Sequence, residues 1–257
     1  MTKHKDINTR CIAQEGQFRE VSSWKGILEV LRQVKTERSL RKRHINYRTT
    51  EPVRIAEAYR SMSEDEFDSI NGPQEWQNTR FIPRIIQSLR LREPVLAVDL
   101  GCGSGQSSQI LGSQLRPGST LLGYDICDRL LARAAHRTYR DILGTPLKAR
   151  FMNQSIAQPL NDPSGRRLDA GSVGLIHAAG VVGHHLTEAD VGAMAAEIAR
   201  VLAPTGSAVL DAGPAMPRAS LQEILAAYGF AVWDTLRAVP CASHHMLVFR
   251  RCGALSI

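Results

Sequence analysis

The 257-residue chain lacks features that define several whole classes of protein. It has no apolar run near the ~18 to 20 residues that a membrane helix needs, which excludes an integral membrane protein. No apolar segment follows the charged first ten residues, so we expect no secretory signal and a cytoplasmic location. The cysteines are few, odd in number and without a C-x-x-C spacing, which argues against a disulfide framework and against a metal site. They are Cys11, Cys102, Cys127, Cys241 and Cys252.

Positive charge is concentrated in the first quarter of the chain. Residues 1–60 hold 14 Lys and Arg against 7 Asp and Glu, whereas the remaining residues hold 18 of each kind. A basic segment can attract nucleic acid, an anionic membrane or a phosphorylated substrate, and it can equally be a solvated helix face. The densest basic positions are Lys35, Arg38, Arg41, Lys42, Arg43, Arg48 and Arg54.

The first 94 residues have the patterns of helices only. Apolar residues recur at helical spacing over 18–38, 52–62 and 74–91. Ser63 with Glu66 three positions later is typical of a capping box and predicts another short helix there, and the sequence of residues 71–73 (Asn-Gly-Pro) predicts a break before the helix over 74–91. We therefore expect residues 1–94 to form an all-helical N-terminal cap and residues 95–257 to form a second domain.

From residue 95 onward, strand-like and helical patterns alternate, which predicts an α/β fold with a doubly wound, mostly parallel sheet. The last two strand-like segments, 230–239 and 243–250, are separated by only three residues. A connection that short cannot hold a crossover helix, so the last strand should be antiparallel. The predicted strands before them are 95–100, 120–125, 149–153, 173–178 and 207–211, and the predicted helices between are 128–139, 188–202 and 219–228.

The most specific motif follows the first predicted strand. It reads Asp99-Leu100-Gly101-Cys102-Gly103-Ser104-Gly105, and the glycines allow a ligand to approach the main chain closely. Asp125 ends the second predicted strand, where a carboxylate can accept both hydroxyl hydrogens of a ribose. The loop lacks the Lys-Ser/Thr ending of a phosphate-binding P-loop, and Gln106 replaces the third glycine of a dinucleotide fingerprint.

This motif resembles the first motif of the class I S-adenosylmethionine-dependent methyltransferases, and four later segments are similar to that family in order and spacing. They include the sequence of 174–186, which resembles the fourth-strand motif with Gly183 inserted, and the helix-to-strand turn at 198–206. The resemblance implies a seven-stranded sheet with S-adenosylmethionine bound at its edge. The implied cofactor-binding residues are Asp99, Gly101, Cys102, Gly103, Gly105, Asp125, Ile126, Gln154, Ser155, Ile156 and Ala178.

Arg80 is a further candidate for the cofactor site. It lies four residues after Trp76 on one helix face and could pair with the cofactor carboxylate, or it could be a surface arginine beside a core tryptophan.

Methyl transfer from a sulfonium needs alignment and a dry pocket, and it needs a general base only for an unionised acceptor. His184 and His185 are the candidate catalytic bases, because the loop after the fourth strand lies beside the transferred methyl group in this family. The alternative is that this histidine pair only packs at the start of a helix. We expect His177, inside the strand, to be a hydrogen-bonded core residue, and Asp211 to line the acceptor pocket or to be an exposed acid at a strand end.

The sequence therefore predicts a methyltransferase that uses S-adenosylmethionine to methylate a small-molecule acceptor. One alternative is an RNA methyltransferase that binds nucleic acid through the basic N-terminal region. Another is a non-catalytic S-adenosylmethionine-binding partner protein. The patterns are compatible with a homo-oligomer and do not identify the acceptor.

Overall fold

The computed structural model describes residues 23–237 and 245–252. The N-terminal region consists of helices α1 (Ser23–Lys42), α2 (Pro52–Ser61) and α3 (Glu64–Leu89). The predicted start of the first helix, at residue 18, lies outside the described residues. The remaining elements are β1 (Leu96–Leu100), α4 (Gln106–Gly112), β2 (Thr120–Asp125), α5 (Asp128–Ala135), β3 (Lys148–Asn153), β4 (Val173–Ala178), α6 (Val182–His185), α7 (Glu188–Val201), β5 (Leu202–Ala212), α8 (Arg218–Ala227), β6 (Phe230–Arg237) and β7 (His245–Arg251).

The strands form one seven-stranded sheet in the order β3-β2-β1-β4-β5-β7-β6. All pairings from β3 to β5 are parallel, whereas β7 is antiparallel to both of its neighbours. The predicted α/β fold with an antiparallel last strand is therefore confirmed. The chain moves outward from β1 to β3 and then returns to β4 on the other side of β1. Such a reversal opens a crevice at the carboxyl ends of the strands.

Helix α3 corrects the predicted break at residues 71–73. The capping box is present, because the Ser63 hydroxyl accepts from the Glu66 N–H at 3.2 Å and Glu66 accepts from the Ser63 N–H at 2.9 Å. From there the helix continues through Pro73 and Pro83 to Leu89. An internal proline costs roughly 3 kcal/mol. The long buried face of α3 offsets that cost; it includes Ile70, Trp76, Phe81, Ile82, Ile85 and Ile86.

Helix α5 ties the N-terminal helices to the sheet. The Arg129 guanidinium donates to the carbonyl oxygens of Arg60 and Met62, and Arg133 pairs with Asp68 at 2.9 Å. Because these contacts come from the first helix beyond β2, they hold α2 and α3 beside the carboxyl ends of β1 and β2. Within residues 23–237 and 245–252, no helix has the length and apolar composition needed to cross a bilayer.

Candidate active site

A cavity of about 110 Å³ lies between the N-terminal helices and the carboxyl ends of the central strands. The sheet contributes the loops after β1, β2, β3 and β4, and α2 and α3 cover the opposite side. The lining residues are Pro52, Ile55, Tyr59, Phe67, Asn71, Gly101, Gly103, Asp125, Ile126, Leu130, Ser155, Ile156, Ala157, Ala179, Gly180, Val181, His185, Leu186 and Asp190.

The glycine loop after β1 reaches the cavity through Gly101 and Gly103. Both have positive φ, at 67° and 51°, a backbone conformation that other residues rarely adopt. A Cβ on Gly101 would lie 2.8 Å from the side chain of Val181, so only glycine fits against the loop after β4. The loop backbone is fixed from below, because the Gly101 N–H donates to the Tyr124 carbonyl at 2.8 Å. A ligand in the cavity therefore meets bare main chain at this edge.

Asp125 stands opposite this loop at the end of β2. One carboxylate oxygen accepts from the Gly103 N–H at 2.9 Å and the other from the Cys127 N–H at 2.8 Å. Burial raises the pKa of Asp125, and the two N–H donors partly oppose that shift. Each oxygen of an ionised carboxylate can accept two hydrogen bonds, so the group keeps capacity for donors that enter the cavity.

Asp99, one of the implied cofactor residues, lies behind the glycine loop. Its carboxylate is 1% exposed and does not line the cavity. It accepts from the hydroxyls of Ser107 at 2.7 Å and Ser108 at 2.6 Å, and it lies 2.8 Å from Nδ1 of His177. Asp99 thus joins the first turn of α4 to β1 and β4 behind the glycine loop. The prediction that His177 is a hydrogen-bonded core residue is confirmed, since the residue is 2% exposed.

Seven of the fourteen predicted site residues line the cavity and seven do not. The seven in the wall are Gly101, Gly103, Asp125, Ile126, Ser155, Ile156 and His185. The seven outside it are Asp99, Cys102, Gly105, Gln154, Ala178, Arg80 and His184.

The residues outside the wall have contacts of their own. Gln154 faces a neighbouring open groove and donates to the Pro159 carbonyl at 2.5 Å. Cys102 is buried, and burial raises the pKa of its thiol well above the ordinary value, so it is not a thiolate nucleophile. The guanidinium of Arg80 lies 4.5 Å from the ring centre of Trp76.

The histidine after β4 that reaches the cavity is His185. Its Nδ1 lies 3.2 Å from the Thr49 carbonyl oxygen, and its Nε2 lies 3.2 Å from the Tyr59 hydroxyl. A carbonyl oxygen can only accept, so Nδ1 carries the proton in this contact, and Nε2 of the neutral ring then accepts from Tyr59. Burial lowers the pKa of His185, which favours this neutral form. His184 is partly exposed and lies outside the cavity wall.

Asp211 fits neither of the two locations predicted for it. It is 3% exposed and does not line the cavity. Its carboxylate accepts from the backbone N–H groups of Val182 and Gly183, each at 3.1 Å, and from that of Val181 at 3.4 Å. Asp211 therefore holds the start of α6 in place, and through it the position of His185. Three consecutive N–H groups at a strand-to-helix turn give a buried carboxylate the hydrogen bonds it needs.

The N-terminal helices supply wall residues that the sequence patterns did not single out. The ring of Tyr59 packs edge-on against Phe67, with 5.7 Å between the ring centres, and edge-on against His185 at 6.1 Å. Burial, with the nearby Asp125 charge as a lesser cause, raises the pKa of Tyr59, so its hydroxyl stays protonated. The only sequence signal for Tyr59 was its position on the apolar face of a predicted helix, beside Ile55 and Ala56 at helical spacing.

The cavity has the chemistry that S-adenosylmethionine requires. The carboxylate of Asp125 suits a ribose diol, the exposed main chain of Gly101 and Gly103 suits the amino-acid portion, and Ile126 and Ile156 offer apolar surface for a base. A family model described as "Methyltransferase domain" matches residues 97–206. The chain carries a methyltransferase domain. The predicted class, the class I S-adenosylmethionine-dependent methyltransferases, and the predicted cofactor are thereby confirmed.

Solved structures of methyltransferases have the same fold. A TehB-like S-adenosylmethionine-dependent methyltransferase of Corynebacterium glutamicum is similar with a TM-score of 0.51 and 22% identity, covering 71% of this chain and 97% of that one. Magnesium protoporphyrin IX methyltransferase of Synechocystis PCC 6803, with bound S-adenosylmethionine, is similar with a TM-score of 0.55 and 19% identity over 91% of this chain and 100% of that one. The methyltransferase CalH, in complex with S-adenosylhomocysteine, is similar with a TM-score of 0.57 and 13% identity, covering 89% of this chain and 66% of that one. No curated protein sequence matches the chain.

Proposed function

We propose that this methyltransferase acts on a small and largely apolar acceptor that enters between α2, α3 and the loop after β4. The observation that carries the proposal is the composition of the cavity wall. Aliphatic and aromatic side chains dominate the part that the N-terminal helices and α6 contribute, including Ile55, Phe67, Val181 and Leu186. Polar groups are few there, which suits an acceptor that is held by its shape and oriented by one or two hydrogen bonds.

The charge of the wall supports the same class of acceptor. Within the part of the chain that the structure describes, no Lys or Arg lines this cavity, whereas Asp125 and Asp190 do. An acceptor that carries a phosphate close to its reacting atom would need cations or free N–H donors in the wall. The basic residues of α1 lie outside the wall and cannot serve that purpose inside the cavity. One similar structure is named for a small-molecule acceptor, magnesium protoporphyrin IX.

The proposed cofactor contacts fall on residues of the sheet edge. Asp125 accepts the ribose hydroxyls, Gly101 and Gly103 present main chain to the amino-acid portion, and Ile126 with Ile156 encloses the adenine. S-Adenosylmethionine supplies an already activated methyl group, so the protein mainly aligns the two reactants and excludes water. Asp99 is proposed to act from behind the loop as a positioning residue, through Ser107 and Ser108.

We assign a proton-accepting role to the pair formed by Tyr59 and His185. An acceptor hydroxyl that donates to the Tyr59 oxygen can lose its proton to that oxygen as Tyr59 passes its own proton to Nε2 of His185. The Thr49 carbonyl then holds the resulting imidazolium through the Nδ1 proton. General-base assistance of this kind contributes typically about 10² to 10⁴ in rate. The pair would be dispensable for an acceptor that is already ionised.

Labelled methyl transfer tests the acceptor class. Cell extract separated by polarity, together with a total RNA fraction, is incubated with the protein and methyl-labelled S-adenosylmethionine. The proposal expects the label in a low-molecular-weight apolar fraction, and expects Asp125→Ala to reduce it. Label that enters only RNA, or only strongly anionic metabolites, would overturn the proposed acceptor class while leaving the methyltransferase assignment intact.

The proton-accepting role is tested with His185→Gln and with His184→Gln as the matched control. His185→Gln should lower kcat on a hydroxyl acceptor by on the order of a hundredfold while the affinity for S-adenosylhomocysteine stays the same. His184→Gln changes the neighbouring ring outside the wall and should leave kcat unchanged. Circular dichroism verifies that both variants fold. Equal kcat values for the two variants would remove His185 from the reaction.

A further inference from the structure

Helix α1 turns its polar side towards the protein and its apolar side towards solvent. On the inner side, Gly26 packs so closely on the ring of Trp76 that a Cβ there would lie 2.8 Å from it. The Thr36 hydroxyl lies 2.9 Å from the Ser69 hydroxyl on α3. Besides the exposed Lys25 and Arg32, the outward side of the first three turns presents six apolar residues that are between 39% and 76% exposed. They are Trp24, Ile27, Leu28, Val30, Leu31 and Val34.

The following two turns of the same outward face are basic. Their exposed residues include Lys35, Arg38, Arg41 and Lys42. The two acids of α1 are turned inward instead: the Glu29 side chain is 13% exposed and pairs with Arg32, and the Glu37 side chain is 12% exposed and pairs with Arg48. The outer face of the described helix is therefore an apolar segment followed by a cationic one, with no exposed acid. We refer to residues 24–42 of this face as the α1 outer face.

We propose that the α1 outer face docks the protein on an anionic lipid bilayer. An amphipathic helix lies in the interface with its aliphatic and Trp side chains among the acyl chains and its Lys and Arg side chains on the headgroups. Clusters of about four to eight cations beside an apolar segment are what an anionic leaflet attracts. The contact is peripheral, since no described helix crosses a bilayer.

Two other occupants fit the α1 outer face less well. The apolar segment is 11 residues long and covers a surface of about 16 Å by roughly 10 Å. A stable homodimer buries about 800 Å² on each partner, which is a much larger area, so a second copy would need further contacts. Nucleic acid would satisfy the cations through its phosphates but would leave six large apolar side chains in water. A bilayer with anionic headgroups satisfies both segments.

Vesicle binding tests the proposal. The full chain is sedimented with vesicles of phosphatidylcholine alone and with vesicles in which one third of the lipid is phosphatidylglycerol. We expect binding to the anionic vesicles only, accompanied by a blue shift of tryptophan emission that Trp24→Phe removes. Leu28→Ser with Leu31→Ser should weaken binding roughly tenfold or more by removing apolar burial. Arg38→Glu with Arg41→Glu and Lys42→Glu should weaken it by more than roughly a hundredfold. The loss of three cations, each worth roughly fivefold near an anionic surface, accounts for that factor, and the three introduced acids add repulsion.

The matched control reverses three exposed cations elsewhere, Lys148→Glu with Arg150→Glu and Arg218→Glu, which changes the net charge equally. This control should bind anionic vesicles far more tightly than the α1 variants. Absence of vesicle binding, equal binding to neutral vesicles, or equal losses in the control would each overturn the proposal. So would a concentration-dependent dimer in light scattering that the Leu28→Ser, Leu31→Ser variant abolishes, since a second copy would then cover the face.

Discussion

Replacing Asp99 by alanine should destabilise the folded protein more than it weakens cofactor binding. The carboxylate accepts from Ser107, Ser108 and His177 at distances between 2.6 and 2.8 Å, and these three donors are 8%, 0% and 2% exposed. In Asp99→Ala all three would lose their acceptor without gaining access to water. Asp99→Asn keeps an oxygen for the serines but places an amide N–H₂ opposite Nδ1 of His177.

The magnitude follows from these contacts. Each buried donor left without an acceptor costs roughly 1–3 kcal/mol. The three donors share one carboxylate, so their costs do not add fully, and we expect a loss of about 4 kcal/mol in the free energy of unfolding for Asp99→Ala. For Asp99→Asn we expect about 2 kcal/mol, since one contact of the network is broken. The larger loss is a substantial part of the roughly 5–15 kcal/mol that stabilises an ordinary domain.

Urea unfolding followed by far-ultraviolet circular dichroism measures these changes in stability. Calorimetry of S-adenosylhomocysteine at low urea measures the affinity of the binding site. The order of stability should be wild type, then Asp99→Asn, then Asp99→Ala, while the affinity of the folded fraction changes less than it does in Asp125→Ala. An Asp99→Ala protein of wild-type stability that has lost its affinity for the cofactor would refute this reasoning, because Asp99 would then act on the ligand and not on the loop.

Three further outcomes are expected. Gly101→Ala should lower both the melting temperature and the affinity for S-adenosylhomocysteine more than Gly103→Ala does. Both variants place alanine at a positive φ, which strains the backbone, but only a Cβ at Gly101 would also collide with Val181. Equal losses in the two variants would contradict this packing. Asp211→Ala should cost roughly 3 kcal/mol in urea unfolding, and a neutral effect would exclude the proposed capping role. Because burial lowers the pKa of His185, the unfolded chain takes up that proton first. The free energy of unfolding should therefore fall as the pH drops from about 6.5 towards the lower folded pKa, and His185→Gln should flatten this slope.

Much of the sheet could be predicted because its strands are buried on both faces and end in motifs. The segment from Val173 to Ala178 reads as a continuous apolar strand and is β4 with the same bounds. The glycine loop was recognisable because a backbone with positive φ favours glycine, and Asp125 because a carboxylate at the end of a strand is the residue type expected to bind a ribose. The antiparallel end followed from a connection too short for a crossover helix.

Other features depended on tertiary contacts that periodicity does not encode. Asn71-Gly72-Pro73 reads locally as a break, yet the buried face of α3 keeps the helix intact and Gly72 admits the Glu29 side chain of α1. Asp211 reads as a strand-end acid, but its partners are N–H groups about thirty residues earlier in the chain.

The cavity wall from α2 and α3 could not be assigned in the same way. Tyr59 and Phe67 look like ordinary core positions of helices, and tertiary contacts, including those of α5 with the N-terminal region, bring them to the carboxyl edge of the sheet. The outward direction of Trp24 and Leu28 could not be predicted either, because apolar residues at helical spacing do not by themselves indicate whether their face packs on the protein or points to solvent.

Isothermal calorimetry of S-adenosylmethionine with the wild-type protein and with Asp125→Ala tests the central claim most directly. The cofactor is proposed to bind across the carboxyl edge of the sheet with its ribose on this one carboxylate. We expect wild-type protein to bind one equivalent. At a temperature where both proteins are folded, Asp125→Ala should bind more weakly by about 3 kcal/mol, the lower end of what two hydrogen bonds to a charged group are worth. Its melting temperature should also fall, because the Gly103 and Cys127 N–H groups lose their acceptor. Undiminished affinity in Asp125→Ala would contradict the account.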